Sequence, residues 1–219
     1  MRPHGRTGSP WLPFDEGGLP RLGRAKRQPS KLFFALKPPD RMARDICRAA
    51  ARHALNRTRQ PAYPAGLLHM TLLCMDAFHA PPRHLIPDIE NAVGGISARP
   101  VSLALDGSAL LGGKRHLALT SMAKNSALEG FVRILRNVLS RHNLPGRPSG
   151  SFTPHVTIIY GCGKIEPLPL EQPYAWTADE FLLIYSHYGE TRHEQFGRWR
   201  FDPDASPYPA SPEQLRLMI

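Results

Sequence analysis

Apolar residues come in short bursts along this chain, and their spacing divides it into strands and helices of modest length. Lys31-Leu32-Phe33-Phe34-Ala35-Leu36 is a compact apolar run stopped by Pro38-Pro39, the pattern of a buried strand. Asp40 then caps a helix of about 16 residues, with Met42, Ile46, Ala49, Ala50 and Leu55 on its apolar side. A loop from Thr58 to Gly66, carrying two prolines, leads to the strand-like run Leu68 to Leu73. Pro81-Pro82 opens a second helix that Gly94-Gly95 ends. Val101 to Leu105 reads as a strand, Asp106-Gly107 as a turn, and Ala109 to Leu111 as a continuation of the ladder. Gly112-Gly113 connects tightly to a strand over His116 to Ser121. Asn125 to His142 is a third helix, striped by Leu128, Phe131, Val132, Ile134, Leu135 and Leu139. The loop Pro145 to Ser151 precedes the strand Pro154 to Tyr160, and Phe181 to Ser186 and Gly197 to Phe201 complete the set. Strands and helices therefore mix as β, α, β, α, β, β, α, β, β, β. That order lacks the regular alternation and glycine fingerprint of a dinucleotide-binding sheet, and it predicts an α+β fold with helices outside largely antiparallel sheets.

The flanks differ. Residues 1–30 are rich in Pro, Gly and Arg without periodicity and read as a disordered basic tail. Residues 203–219 read as a Pro-rich C-terminal tail, which leaves one domain over 31–202. The 219 residues carry a net charge of +10, which asks for an anionic partner. Cys47, Cys74 and Cys162 are scattered, as in a reduced, cytoplasmic protein. No apolar run reaches the length of a membrane span, and the basic N-terminus lacks the apolar stretch of a secretory signal. The histidines show no His-x-His or His-x-x-x-His spacing, and no Gly-x-x-x-x-Gly-Lys-Ser/Thr loop occurs, so neither a metal, ATP nor any other cofactor is expected.

One pattern carries chemistry. His-x-Thr occurs twice, as Leu68-His69-Met70-Thr71-Leu72 and as Pro154-His155-Val156-Thr157-Ile158, each in a strand. On a strand, residues two apart share a face. His69 therefore lies beside Thr71, and His155 beside Thr157. An imidazole next to a hydroxyl is a proton shuttle next to a phosphate-oxygen ligand. Two facing pairs supply one acid, one base and two donors for phosphodiester chemistry without metal.

At these residues, together with Leu32 to Leu36 and Phe152-Thr153, the chain resembles the two-histidine phosphoesterase superfamily, and within it the RNA 2′,3′-cyclic phosphodiesterases, or 2′-5′ RNA ligases. The resemblance spans about residues 31–201. It implies a bilobal fold, its two lobes related by a pseudo-twofold axis, with both motifs lining a central groove. It implies His155 as base and His69 as acid, with the roles exchanged in ligation, and Thr71 and Thr157 as ligands of the phosphate oxygens. The implied activity is opening of a 2′,3′-cyclic phosphate to a 2′-phosphomonoester, to which some members of the family add reversible ATP-independent 2′-5′ ligation. The expected partner is an RNA end with a cyclic phosphate, or a cyclic nucleotide, met by a monomer with no membrane association. A small nucleotide substrate and a non-catalytic RNA-end binder are the alternatives.

The family often has Lys two residues after the first Thr and Arg three after the second. This chain has Leu73 and Tyr160 there. Tyr160 and Phe33 are candidate substrate contacts, Phe33 as a base-stacking ring. His187, Tyr188, Arg192 and His193 read as a surface loop, or as a cover for the groove. His116 reads as an exposed strand histidine.

Overall fold

The computed structural model describes residues 28–113, 115–146 and 153–208. Residues 1–27, 114, 147–152 and 209–219 lie outside the described residues, and with them most of both expected tails and of the expected loop Pro145 to Ser151. The elements are β1 (Ser30–Leu36), α1 (Asp40–Ala54), β2 (Met70–Phe78), α2 (Ile86–Gly94), β3 (Val101–Leu105), β4 (Gly107–Leu111), β5 (His116–Thr120), α3 (Ser126–Arg141), β6 (His155–Ile159), β7 (Tyr174–Ala178), β8 (Glu180–His187) and β9 (Arg192–Arg200). Short 3₁₀ turns at Ala65–Leu67 and Arg83–Leu85 lead into β2 and α2.

Seven strands form one sheet in the order β4-β5-β6-β2-β1-β8-β9, and β3 and β7 form a small second sheet. Every strand pairing is antiparallel. The large sheet falls into two halves, because β2 and β6 meet through one residue pair, Met70 and Val156. The helices cross over that seam. α1, which follows β1, packs against β6, while α3, which precedes β6, packs against β2. Each half thus lends its helix to the other half's His-x-Thr strand, in keeping with the expected α+β, two-lobed architecture.

The main core lies on one face of the sheet. Leu32, Phe34 and Leu36 of β1 are fully buried there, with Ile46 and Ala50 of α1, Ile89 of α2, and Leu128, Phe131 and Leu135 of α3. The opposite face carries a small apolar floor of Phe33, Ala35, Leu182 and Ile184. Strand alternation explains the division, since neighbouring residues of β1 and β8 must point to opposite sides.

Three expectations need correction. Asp40 is not the helix cap: Pro39 holds that position without a side-chain bond, and Asp40 is the first helical residue, where its charge favours the helix dipole. Leu55 follows α1 and is 69% exposed, so it leaves the apolar stripe. The expected strand Gly197 to Phe201 covers only the end of β9, whose first half is polar. An edge strand can hold charged side chains because its outer border faces solvent. β7 is an element that the sequence pattern does not predict. Its apolar signal is a brief alternation with Trp176 and Ala178 buried and Ala175 and Thr177 exposed.

Candidate active site

Both His-x-Thr pairs meet at the seam of the sheet. Met70 lies across from Val156, and both are buried in the core. One step along the antiparallel strands from that pair sets His69 across from Thr157, and Thr71 across from His155. Alternation then points these four side chains away from the core. They form a square with histidines on one diagonal and threonines on the other. Diagonal neighbours in such a pair are about 7–8 Å apart, which leaves room for one phosphate between two imidazoles.

The two rings are held in the same way. His69 Nδ1 lies 2.8 Å from the Leu67 carbonyl, and His155 Nδ1 lies 2.8 Å from the Thr153 carbonyl. A carbonyl oxygen can only accept, so Nδ1 carries the proton in both rings. Nε2 is left as the basic nitrogen of the neutral form. This matching tautomer follows from the pseudo-twofold at the seam.

The surroundings break the symmetry. His69 stacks on Phe33 with ring centroids 4.8 Å apart and meets the edge of His193 at 5.1 Å. Burial pushes the His69 imidazolium down to about 4; the bond to Leu67 opposes the fall, and the charges of His155 and Lys37 add to it. Burial likewise lowers His193 to about 4, helped by the charges of His69, Lys37 and His187. At neutral pH both rings are uncharged.

Phe33 is 4% exposed and one face is covered by His69, so the ring supports the histidine and offers no free face to a base. Tyr160 is 39% exposed; burial raises its phenol, and the nearby Thr157 side chain opposes the rise. Its ring meets the edges of Tyr63 at 4.8 Å and of His116 at 5.0 Å. His116 is fixed in turn, because the Gly161 N–H donates to its Nδ1 at 2.8 Å.

Tyr63 bridges the halves. Its backbone N–H donates to the Ile158 carbonyl of β6 at 2.7 Å, and its hydroxyl lies 3.4 Å from His193 Nε2 on β9. Burial, with the nearby Tyr160 second, raises its phenol to about 12, so it stays a neutral donor. The rings from His116 through Tyr160, Tyr63, His193 and His69 to Phe33 make a continuous arc across the groove face.

Neither a protein-family model nor a curated protein sequence matches the chain. Solved structures do. E. coli LigT in complex with 3′-AMP superposes with a TM-score of 0.66, at 22% identity over 79% of this chain and 98% of that one. E. coli LigT in its apo form gives 0.64 at 24% identity, over 80% and 98% of the two chains. The protein TT0787 of Thermus thermophilus gives 0.62 at 18% identity, over 80% and 99%. The chain has the two-histidine phosphoesterase fold. Within that fold, His69, Thr71, His155 and Thr157 are brought together, and Tyr160 borders them.

Sequence reasoning misses Tyr63 in this groove and leaves the places of His193 and His116 undecided. Tyr63 stands in a proline-bearing loop with no signal of its own. His193 reads as part of a surface loop or of a cover for the groove, and it lies on β9 across from Ser186. His116 reads as exposed and is half-buried against Tyr160. The signal available is the parity of strand residues, and it is readable only once register is known.

Proposed function

We propose that this chain is a phosphoesterase that opens a 2′,3′-cyclic phosphate at an RNA end to a 2′-phosphomonoester, with His69 and His155 as its proton-transfer pair. The observation that carries the reading is the diagonal square of two histidines and two threonines, with both imidazoles fixed in the same tautomer. The likeness to LigT supports it. That protein has been crystallised with 3′-AMP, NADP+, ATP and phosphate, all ligands with phosphate groups.

The site residues divide the work as follows. His69 is neutral in the free protein, which is the form a base needs. It takes a proton from water as the water oxygen bonds to phosphorus. The bond from phosphorus to the 3′ oxygen breaks on the opposite side, and protonated His155 delivers its proton to that oxygen. An anionic phosphate beside His69 raises its proton affinity, so the base strengthens when substrate is bound. This assignment reverses the one the family resemblance implies. Thr71 and Thr157 donate to the non-bridging oxygens as charge builds there. With a ribose 5′ hydroxyl in place of water, the same transfers form a 2′-5′ bond without ATP.

The test is incubation of the purified protein, in EDTA, with an RNA ending in a 2′,3′-cyclic phosphate, followed by mapping of the product. A 2′-phosphate is expected. His69→Ala and His155→Ala should each lower kcat by about 10²–10⁴-fold, the usual contribution of a general acid or base. A 3′-phosphate product, activity that needs a divalent ion, or a single mutant at wild-type rate would refute the proposal.

A further inference from the structure

A cyclic phosphodiester arrives as an anion and gains charge on its equatorial oxygens in the transition state. The square at the seam brings at most one proton and two neutral hydroxyls to meet that charge. The residues just beyond each threonine bring none: Leu73 is 2% exposed in the core, and Tyr160 is a phenol.

We propose that Lys37, one residue past β1, supplies the positive charge of the phosphate subsite. Ala35 lies across from Thr71 and Leu36 across from Met70. One further step sets Lys37 across from His69. Alternation places Lys37 on the face of Ala35, which is the groove face. Lys37, His69 and Thr157 thus form one row across three strands. The ammonium is held in that row by a 2.6 Å bond from Nζ to the Gly66 carbonyl. Gly66 belongs to the 3₁₀ turn whose last residue, Leu67, fixes His69 Nδ1.

Three other described cations, in the half of the sheet built from β1, β8 and β9, are paired or distant. Arg198 pairs with Glu180 at 3.4 Å, and Arg192 with Glu190 at 3.1 Å. Lys31 lies at the far end of β1, across from Ser186. Lys37 is exposed, and among the described residues no carboxylate pairs with it. Its charge reaches both His69 and His193 and disfavours their protonation. An ammonium facing two uncharged imidazoles is placed to attract an anion. A phosphate seated there would neutralise the lysine and let His69 accept a proton.

This inference rests on the phosphoesterase reading for its consequence in turnover, but its binding half is tested separately. The variants are Lys37→Gln, which keeps a donor for the Gly66 carbonyl without charge, and Lys37→Arg, which keeps the charge. The probes are inorganic phosphate and adenosine 2′-monophosphate, titrated calorimetrically, and 2′,3′-cyclic AMP for turnover. Lys37→Gln should lose about 10- to 100-fold in phosphate affinity and in kcat/KM, the scale of one charge-assisted contact, while Lys37→Arg stays within about threefold of wild type. If the role were only to tie β1 to the turn, Lys37→Gln, which keeps the donor, would bind phosphate and turn over as wild type does; that result overturns the proposal. A measurement on wild type alone serves where a variant fails to fold. At pH 8.5, above the ordinary imidazole range, phosphate binding should persist because an ammonium still carries it. Its disappearance there overturns the proposal. Wild type that binds phosphate through Lys37 but opens neither 2′,3′-cyclic AMP nor an RNA 2′,3′-cyclic phosphate would refute the phosphoesterase reading and leave the subsite standing. Wild type that binds no phosphate overturns the subsite.

Discussion

Acid should cost this protein stability through His69, and the size of the loss can be worked out. The ring is held neutral by burial against Phe33 and His193, with its pKa lowered from 6.5 to about 4. In the unfolded chain it takes up a proton near 6.5. Above that pH both states are neutral and the shift contributes nothing against folding. As pH falls from 6.5 towards 4, the unfolded chain binds a proton that the native ring refuses, so stability drops with pH across that window. Below about 4 both states are protonated and the loss levels off. For these two values the fall between pH 7.5 and 5.0 is about 2 kcal/mol. Solvent reaches part of the ring, so about 1–2 kcal/mol is the working expectation. His193 adds a parallel loss, since it is lowered to about 4 by burial and by His69. The assay is urea unfolding of wild type and His69→Gln at pH 7.5 and 5.0. Wild type should lose about 1–2 kcal/mol more than the variant over that interval. Equal losses in the two proteins would mean that His69 titrates normally, and the argument that it is a neutral base in the free site would fall.

Two further outcomes bear on the mechanism. In His155→Ala, residual kcat/KM should rise with pH through a single limb near the His69 value of about 4 and then level off; a rate that falls through that range would make His69 the acid. Thr71→Val and Thr157→Val should each reduce kcat/KM by about 10- to 150-fold, since a hydrogen bond to a charged group is worth about 1.5–3 kcal/mol. Wild-type kinetics in both single mutants would remove the hydroxyls from the mechanism.

Much of the fold is legible in the sequence because the elements carry strong local signals. β1, β2, β6 and β8 are apolar runs, and α3 has a clean stripe begun by a polar cap, with Asn125 accepting from the Leu128 N–H at 3.0 Å. What escapes lies at the borders of the sheets. β7 is short and alternates only weakly, and the first half of β9 is written in Arg192, His193, Glu194 and Gln195, residues that look like a loop. The candidate site follows the same rule. Two repeated motifs on strands announce His69, Thr71, His155 and Thr157. The residues around them come from elsewhere in the chain. Lys37, Tyr63 and His193 lie 32, 6 and 124 positions from His69 and reach it only through register and packing. Phe33 stands out in the sequence, but only the stack against His69 shows which surface its ring serves.

The seam at Met70 and Val156 has a bearing on how this molecule can change. Between His69 and Thr71 the intervening side chain is Met70, 1% exposed, and between His155 and Thr157 it is Val156, wholly buried. Reactive and structural residues therefore share the same few peptide units, turned to opposite sides. A substitution that swells or shrinks Met70 or Val156 touches no ligand, yet it tilts the backbone from which both imidazoles hang. Variation in the interior of this protein should appear first as altered turnover and only later as altered melting, and improvement of either property will have to be sought in both faces at once.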